Sequence, residues 1–148
     1  MGSNFRKNRM VSFVDCGDTF WEGLEDGRFL LCRCASCHRW LWDTMTGGMD
    51  IRCGECGSWE QEWVDTEPDA TVYAFTTTNQ RFEGAEGFAD EVPYVTVEAE
   101  LCGPGGPRVY GLLRGPRESL RVGAAIRGEI EPPSDATRGY AAVRWRLV

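Results

Sequence analysis

The chain has 148 residues, 42% hydrophobic and 26% charged, with a net charge of −7 and a pI near 4.8. That length suits one compact domain, or a small domain carrying a metal-stapled appendage. The acidity argues against a phosphate-tracking surface, which needs clustered positive charge, and no apolar run approaches the roughly 18 residues of a membrane span.

The start, Met1 to Met10, is polar and mildly basic, and no apolar signal core follows it. Arg6 stands at the hydroxyl position of a myristoylation motif, which defeats that reading too. A soluble, cytoplasmic protein with a disordered beginning (Met1 to Lys7) is expected. From Asp18 the pattern becomes helical, with Asp18 or Thr19 as N-cap, Glu22 and Glu25 early in the helix and Gly27 as C-cap. Phe20, Trp21 and Leu24 share one face of a helix too short to stand without docking.

Arg28 to Cys34 reads as a strand feeding a metal site. Cys34-Ala-Ser-Cys37 and Cys53-Gly-Glu-Cys56 are two Cys-x2-Cys pairs, fifteen residues apart, the spacing of a four-cysteine zinc site. Each pair sets two sulfurs on one side of a tight bend, and two facing bends supply four thiolates. The expected ion is zinc, with iron as the alternative. A filled four-thiolate site has no open coordination position, so it holds structure and activates nothing. Of the other cysteines, Cys16, Cys32 and Cys102 read as small, half-buried apolar residues, with Cys32 as a substitute ligand in a second reading. Trp40, Trp42, Trp59 and Trp63 flank the metal loops as the filling of a small ribbon, with a base-stacking platform as the alternative, and the insert Asp43 to Asp50 reads as a mobile loop.

Beyond Trp63 the texture becomes that of strands: Thr71 to Gln80, Tyr94 to Leu101, Arg108 to Arg114, Ala125 to Glu131 and Tyr140 to Val148. Val95, Val97, Ala99 and Leu101 alternate with Thr96, Glu98 and Glu100. Cys-Gly-Pro-Gly-Gly-Pro makes a hairpin connection, and Pro116 to Leu120 a short helical turn. Five such strands predict a small Greek-key barrel of the OB type, with a sandwich of the same strand count as the alternative. The fold class is therefore mainly β: a short N-terminal helix, a four-cysteine zinc ribbon, then a five-stranded OB-fold barrel. The expected division is 1–29, 30–63 and 64–148. Loop Arg81 to Pro93 is long enough to be functional. Its phenylalanines favour partner contact and its four acids disfavour nucleic acid. His38, the only histidine, follows a metal ligand directly, and no nucleophile elbow or phosphate-cradling glycine loop is present.

The order of these parts resembles the domain of unknown function 35 family. Phe20 to Leu24, Gly27 to Cys37, Cys53 to Ser58, Thr71 to Thr76, Pro93-Tyr94-Val95 and Val122-Gly123 carry the likeness. Gly-Gly-Met-Asp-Ile-Arg and Gly54 depart from the proline-bearing stretches usual around the third cysteine. The resemblance implies a non-catalytic companion of a thiolase-fold enzyme acting on acyl-CoA thioesters, either a retro-aldolase of steroid side-chain degradation or an acyltransferase. It implies a structural zinc, a CoA thioester as shared substrate, and a heterotetramer around a thiolase-like dimer, with no nucleic acid and no membrane. Under that reading Phe20, Trp21, Phe82, Phe88 and Tyr94 are candidate contacts, with core packing the alternative for each. Arg81 is a candidate for CoA phosphate or a partner carboxylate. A module binding single-stranded nucleic acid is the other functional class, since OB-folds and zinc ribbons both serve it.

Overall fold

The computed structural model describes residues 17–41 and 52–148. The expected disordered tail, Cys16, Trp42 and the Asp43 to Asp50 insert lie outside them. Helix α1 spans Gly17–Glu25, starting before the expected cap. Its end follows the expectation: Gly27 has φ +74°, its N–H donates to the Leu24 carbonyl at 3.0 Å, and the Arg28 N–H reaches the Gly23 carbonyl at 2.7 Å. This pair of bonds satisfies the last carbonyls of the helix.

Strand β1 (Leu30–Cys34) pairs antiparallel with β2 (Gln61–Asp65), Cys32 opposite Trp63. The sequence reading has no strand at β2, because its burial pattern is half-exposed throughout and shows no alternation.

Five further strands close a barrel: β3 (Asp69–Thr78), β4 (Tyr94–Leu101), β5 (Arg108–Leu113), β6 (Ala125–Glu131) and β7 (Ala142–Leu147). Their order is β3-β4-β5-β7-β6, closed by β6 returning to β3. All pairs are antiparallel except β5 with β7. A register shift between Val72 and Ala74 bends β3, which pairs with β6 over Asp69–Thr71 and continues alone beside β4. Such a bulge lets one strand turn a barrel corner. The alternating residues of β4 point as their sequence predicts, with Val95, Val97, Ala99 and Leu101 buried.

Between β5 and β6 the expected helical turn is a single hydrogen-bonded turn, Leu120 N–H to the Arg117 carbonyl at 3.0 Å. The barrel core is completed by residues that precede the barrel. Phe20, Leu24, Phe29 and Leu31 join the same buried cluster as Val97, Ile126 and Trp145. The Phe29 and Trp145 rings meet edge-on at 6.2 Å. No helix among the described residues is long and apolar enough to cross a membrane.

Candidate functional site

The two Cys-x2-Cys bends adopt the same backbone. In the first, the His38 N–H donates to the Cys34 carbonyl (3.0 Å) and the Cys34 N–H to the Arg39 carbonyl (2.8 Å). In the second, the Gly57 N–H donates to the Cys53 carbonyl (2.8 Å) and the Cys53 N–H to the Ser58 carbonyl (2.7 Å). His38 and Gly57 occupy the equivalent left-handed position, at φ 62° and 78°. The bends are tied across by Ser36 to Ser58 (2.9 Å) and by Arg39 to Glu55 (2.8 Å).

This geometry brings Cys34, Cys37, Cys53 and Cys56 together, with their sulfurs all within 4.8 Å of one another. Cys34 and Cys56 sulfurs lie 3.5 Å apart, and Cys37 and Cys53 3.6 Å. Sulfurs at 2.3 Å from a tetrahedral zinc are separated by about 3.8 Å, so the cluster matches the cage the metal needs. The charges agree with that fit. Main-chain N–H groups, Cys37 first and then Ser36, hold the Cys34 thiol down at about 6 against burial, and those of Cys56 and Glu55 lower Cys53. Cys37 is pushed up to about 12: the Arg39 N–H lowers it, but burial and three neighbouring sulfurs prevail. Four thiolates this close require a cation. Zinc, when bound, would be held by these four residues as a closed structural ion. Cys32 does not replace any of the four; its thiol faces Gln61 Oε1 at 3.6 Å, and burial pushes it up to about 11.

Other assignments divide. Cys32 is fully buried, whereas Cys102 is exposed in the β4–β5 turn at φ 61°, contrary to its half-buried reading. Trp40 and Trp63 pack as expected, but Trp59 is 63% exposed and fills nothing. Phe20 is buried among Trp21, Phe29 and the barrel core, so it packs. Trp21 is half-buried and meets Tyr140 edge-on at 6.2 Å.

The Arg81 to Pro93 loop contains an unexpected 3-10 helix, Glu86–Glu91. Phe82 is 51% exposed, and exposed Arg81 faces Asp90 at 3.5 Å. Phe88 packs against Tyr94 at 6.1 Å beneath the Arg144 guanidinium. The partner of this loop is a segment to which the sequence assigns no element, Pro132 to Gly139. A Cβ on Gly87 would stand 2.5 Å from the Ala136 carbonyl, and Arg138 donates to the Gly84 carbonyl at 2.9 Å. Tyr140, expected to open the last strand but lying just before β7, follows that segment and touches Trp21. One loop thus joins the helix to the aromatic loop, forming a ledge that carries Trp21, Phe82, Phe88 and Arg81. Thr137, whose hydroxyl donates to the Tyr140 carbonyl at 2.6 Å, shapes it. The Ser-Asp-Ala-Thr run was the local signal for such a turn.

His38 lies outside this ledge, with its Nε2 3.8 Å from Glu62. The serine hydroxyls that meet side chains here, Ser36 with Ser58 and Ser134 with Thr137, meet other hydroxyls.

Residues 63–131 match the family described as "ChsH2, C-terminal OB-fold domain". A solved structure described as "Ltp2-ChsH2(DUF35) aldolase" contains a chain with the same fold, at a TM-score of 0.68 and 19% identity, covering 95% of this chain and 98% of that one. No curated protein sequence matches the chain. Over residues 63–131 this chain is therefore similar to the ChsH2-type C-terminal OB-fold domain, and it shares the fold of the DUF35 aldolase chain.

Proposed function

We propose that this chain is a non-catalytic accessory subunit of an aldolase complex, in which a thiolase-fold partner performs the bond-breaking step on an acyl-CoA thioester. The observation that carries this reading is the likeness to the aldolase chain over helix, ribbon and barrel together, 95% of one chain and 98% of the other. The family resemblance adds the setting, side-chain shortening of steroid CoA thioesters, and the sequence's lack of an apolar signal core adds the cytoplasm. A structural zinc in the four-cysteine cage shapes the ribbon. The ledge supplies the contacts: Phe82 at its tip, Phe88 and Tyr94 behind it, Trp21 on the helix side, and Arg81 for a CoA phosphate or a partner carboxylate. Phe20 supports from within. The stoichiometry proposed is a heterotetramer around a thiolase-like dimer.

Co-expression with a thiolase-like protein tests this. The two are expected to co-purify, to give a heterotetrameric mass by light scattering, and to cleave a β-hydroxyacyl-CoA only together. Phe82→Ala is expected to weaken the complex about tenfold or more, the cost of truncating a buried aromatic contact. Failure to co-purify, with the enzyme fully active alone, sinks the reading.

A further inference from the structure

Most arginines of the described residues hold a carboxylate within 4.0 Å; Arg52, Arg117 and Arg121 are the exceptions among them. Two of these exceptions sit in the turn after β5, and Arg117 lines a cavity of about 180 Å3. The cavity arises from topology. The β4–β5 ladder ends at Thr96 opposite Leu112, and β5 then pairs with β7 through Leu113 and Trp145. The strands part there, and the gap is lined by Glu91, Pro93, Tyr94, Leu113, Arg114 and Arg117, among others.

Its charges can be assigned one by one. Arg114 is gripped by Glu91, with the second bond at 3.3 Å, and lies 3.8 Å from Glu131. Glu131 in turn holds the buried Arg144 at 2.6 and 3.1 Å. Two carboxylates and two guanidiniums cancel. Arg117 remains, exposed, with one Nη donating to the Pro93 carbonyl at 3.3 Å and the rest of its donor fork open. Glu118 is exposed and does not line the cavity. The pocket is therefore locally positive on a chain of net charge −7. Screening over about 10 Å at ordinary salt lets this local sign outweigh the distant acids.

We infer that this gap binds a compact oxyanion, a phosphate group, with Arg117 as the open donor and Arg114 as the fixed wall behind it. The guanidinium fork matches phosphate geometry, and the cavity has room for the head group but not for the body of a large ligand. The site belongs to this chain alone, so its failure leaves the aldolase reading untouched.

The test is titration of the full-length, metal-loaded chain with inorganic phosphate and with pyrophosphate at fixed ionic strength, followed by amide chemical shifts. Saturable shifts confined to 94–95, 113–115 and 117 are expected, half-complete below about 10 mM. Arg117→Gln should weaken binding at least about tenfold, one charge-assisted hydrogen bond's worth, while Arg121→Gln changes it less than about threefold. Both variants should keep the wild-type spectrum elsewhere, since both side chains are exposed. Acetate should not saturate. Absence of saturation, undiminished binding by Arg117→Gln, shifts centred elsewhere, or acetate binding as well as phosphate would each overturn the proposal.

Discussion

The barrel buries Val72, Val97, Ala99, Leu101, Ile126 and Trp145 at 2% exposure or less, while the ribbon's own cluster contains Leu41 and three cysteines, with Trp63 packed against it. At roughly 25 cal/mol per Å2 of apolar surface, the first set supports a fold and the second does not. What the ribbon lacks in apolar burial its four-cysteine cage would supply on holding a metal. The joint between them is apolar again: Phe29, beside β1, meets Trp145 of β7. The two regions therefore differ in what holds them but are not independent.

Removing the metal is the harshest way to probe that difference. Structural zinc contributes on the order of 10 kcal/mol in small modules that fold around it. Chelation, or Cys34→Ser, is expected to abolish amide-exchange protection at Cys32 and Trp63 while Val97 and Ala99 stay protected. In the proposed complex, the same change should cost assembly and not the chemical step. A metal-free chain with unchanged protection at Cys32 would show that the ribbon holds itself.

Phe29→Ala attacks the joint. Loss of a buried phenylalanine costs about 3–5 kcal/mol, and here the vacancy opens against an indole that also packs on Gly128, where a Cβ would stand 2.9 Å from the ring. The expected result in denaturant is that one transition becomes two, with the ribbon releasing first. A single transition at the wild-type midpoint would mean that ribbon and barrel are coupled elsewhere.

The same division explains what the sequence made readable. Strands β4 and β6 appear with their observed limits because each shows one face to the core, and period-two alternation records that directly. The metal cage is readable because its four ligands come as two local pairs. Strand β2 is not, since its half-exposed residues are ordered by pairing with a strand about 30 positions earlier. The helix Glu86–Glu91 is likewise held from outside, by the close approach of Gly87 to Ala136. Phe20 illustrates the limit of pattern: an aromatic on a short amphipathic helix looks alike whether it meets a partner or its own barrel. Arg117 gave no local signal, because its standing depends on which other arginines are neutralised in three dimensions.

The smallest expected effect lies inside the ribbon, where two bends of identical backbone carry different residues at the left-handed position. A side chain there costs about 1 kcal/mol or more, which glycine avoids. Glycine at 57 also leaves room for Arg52, whose guanidinium a Cβ would meet at 3.0 Å and whose Nε donates to the Gly57 carbonyl at 2.8 Å. His38 gains little in return, since its 3.8 Å approach to Glu62 is solvent-exposed and screened. His38→Gly is therefore expected to tighten zinc about fivefold in a chelator competition, and Gly57→Ala to loosen it by at least as much. The barrel should register neither, because the strain is confined to the bends the metal holds. If both variants moved zinc affinity the same way, or if the barrel's unfolding shifted while zinc affinity did not, the equivalence of the two bends would fail, and with it the claim that coordination governs the ribbon separately from the barrel core.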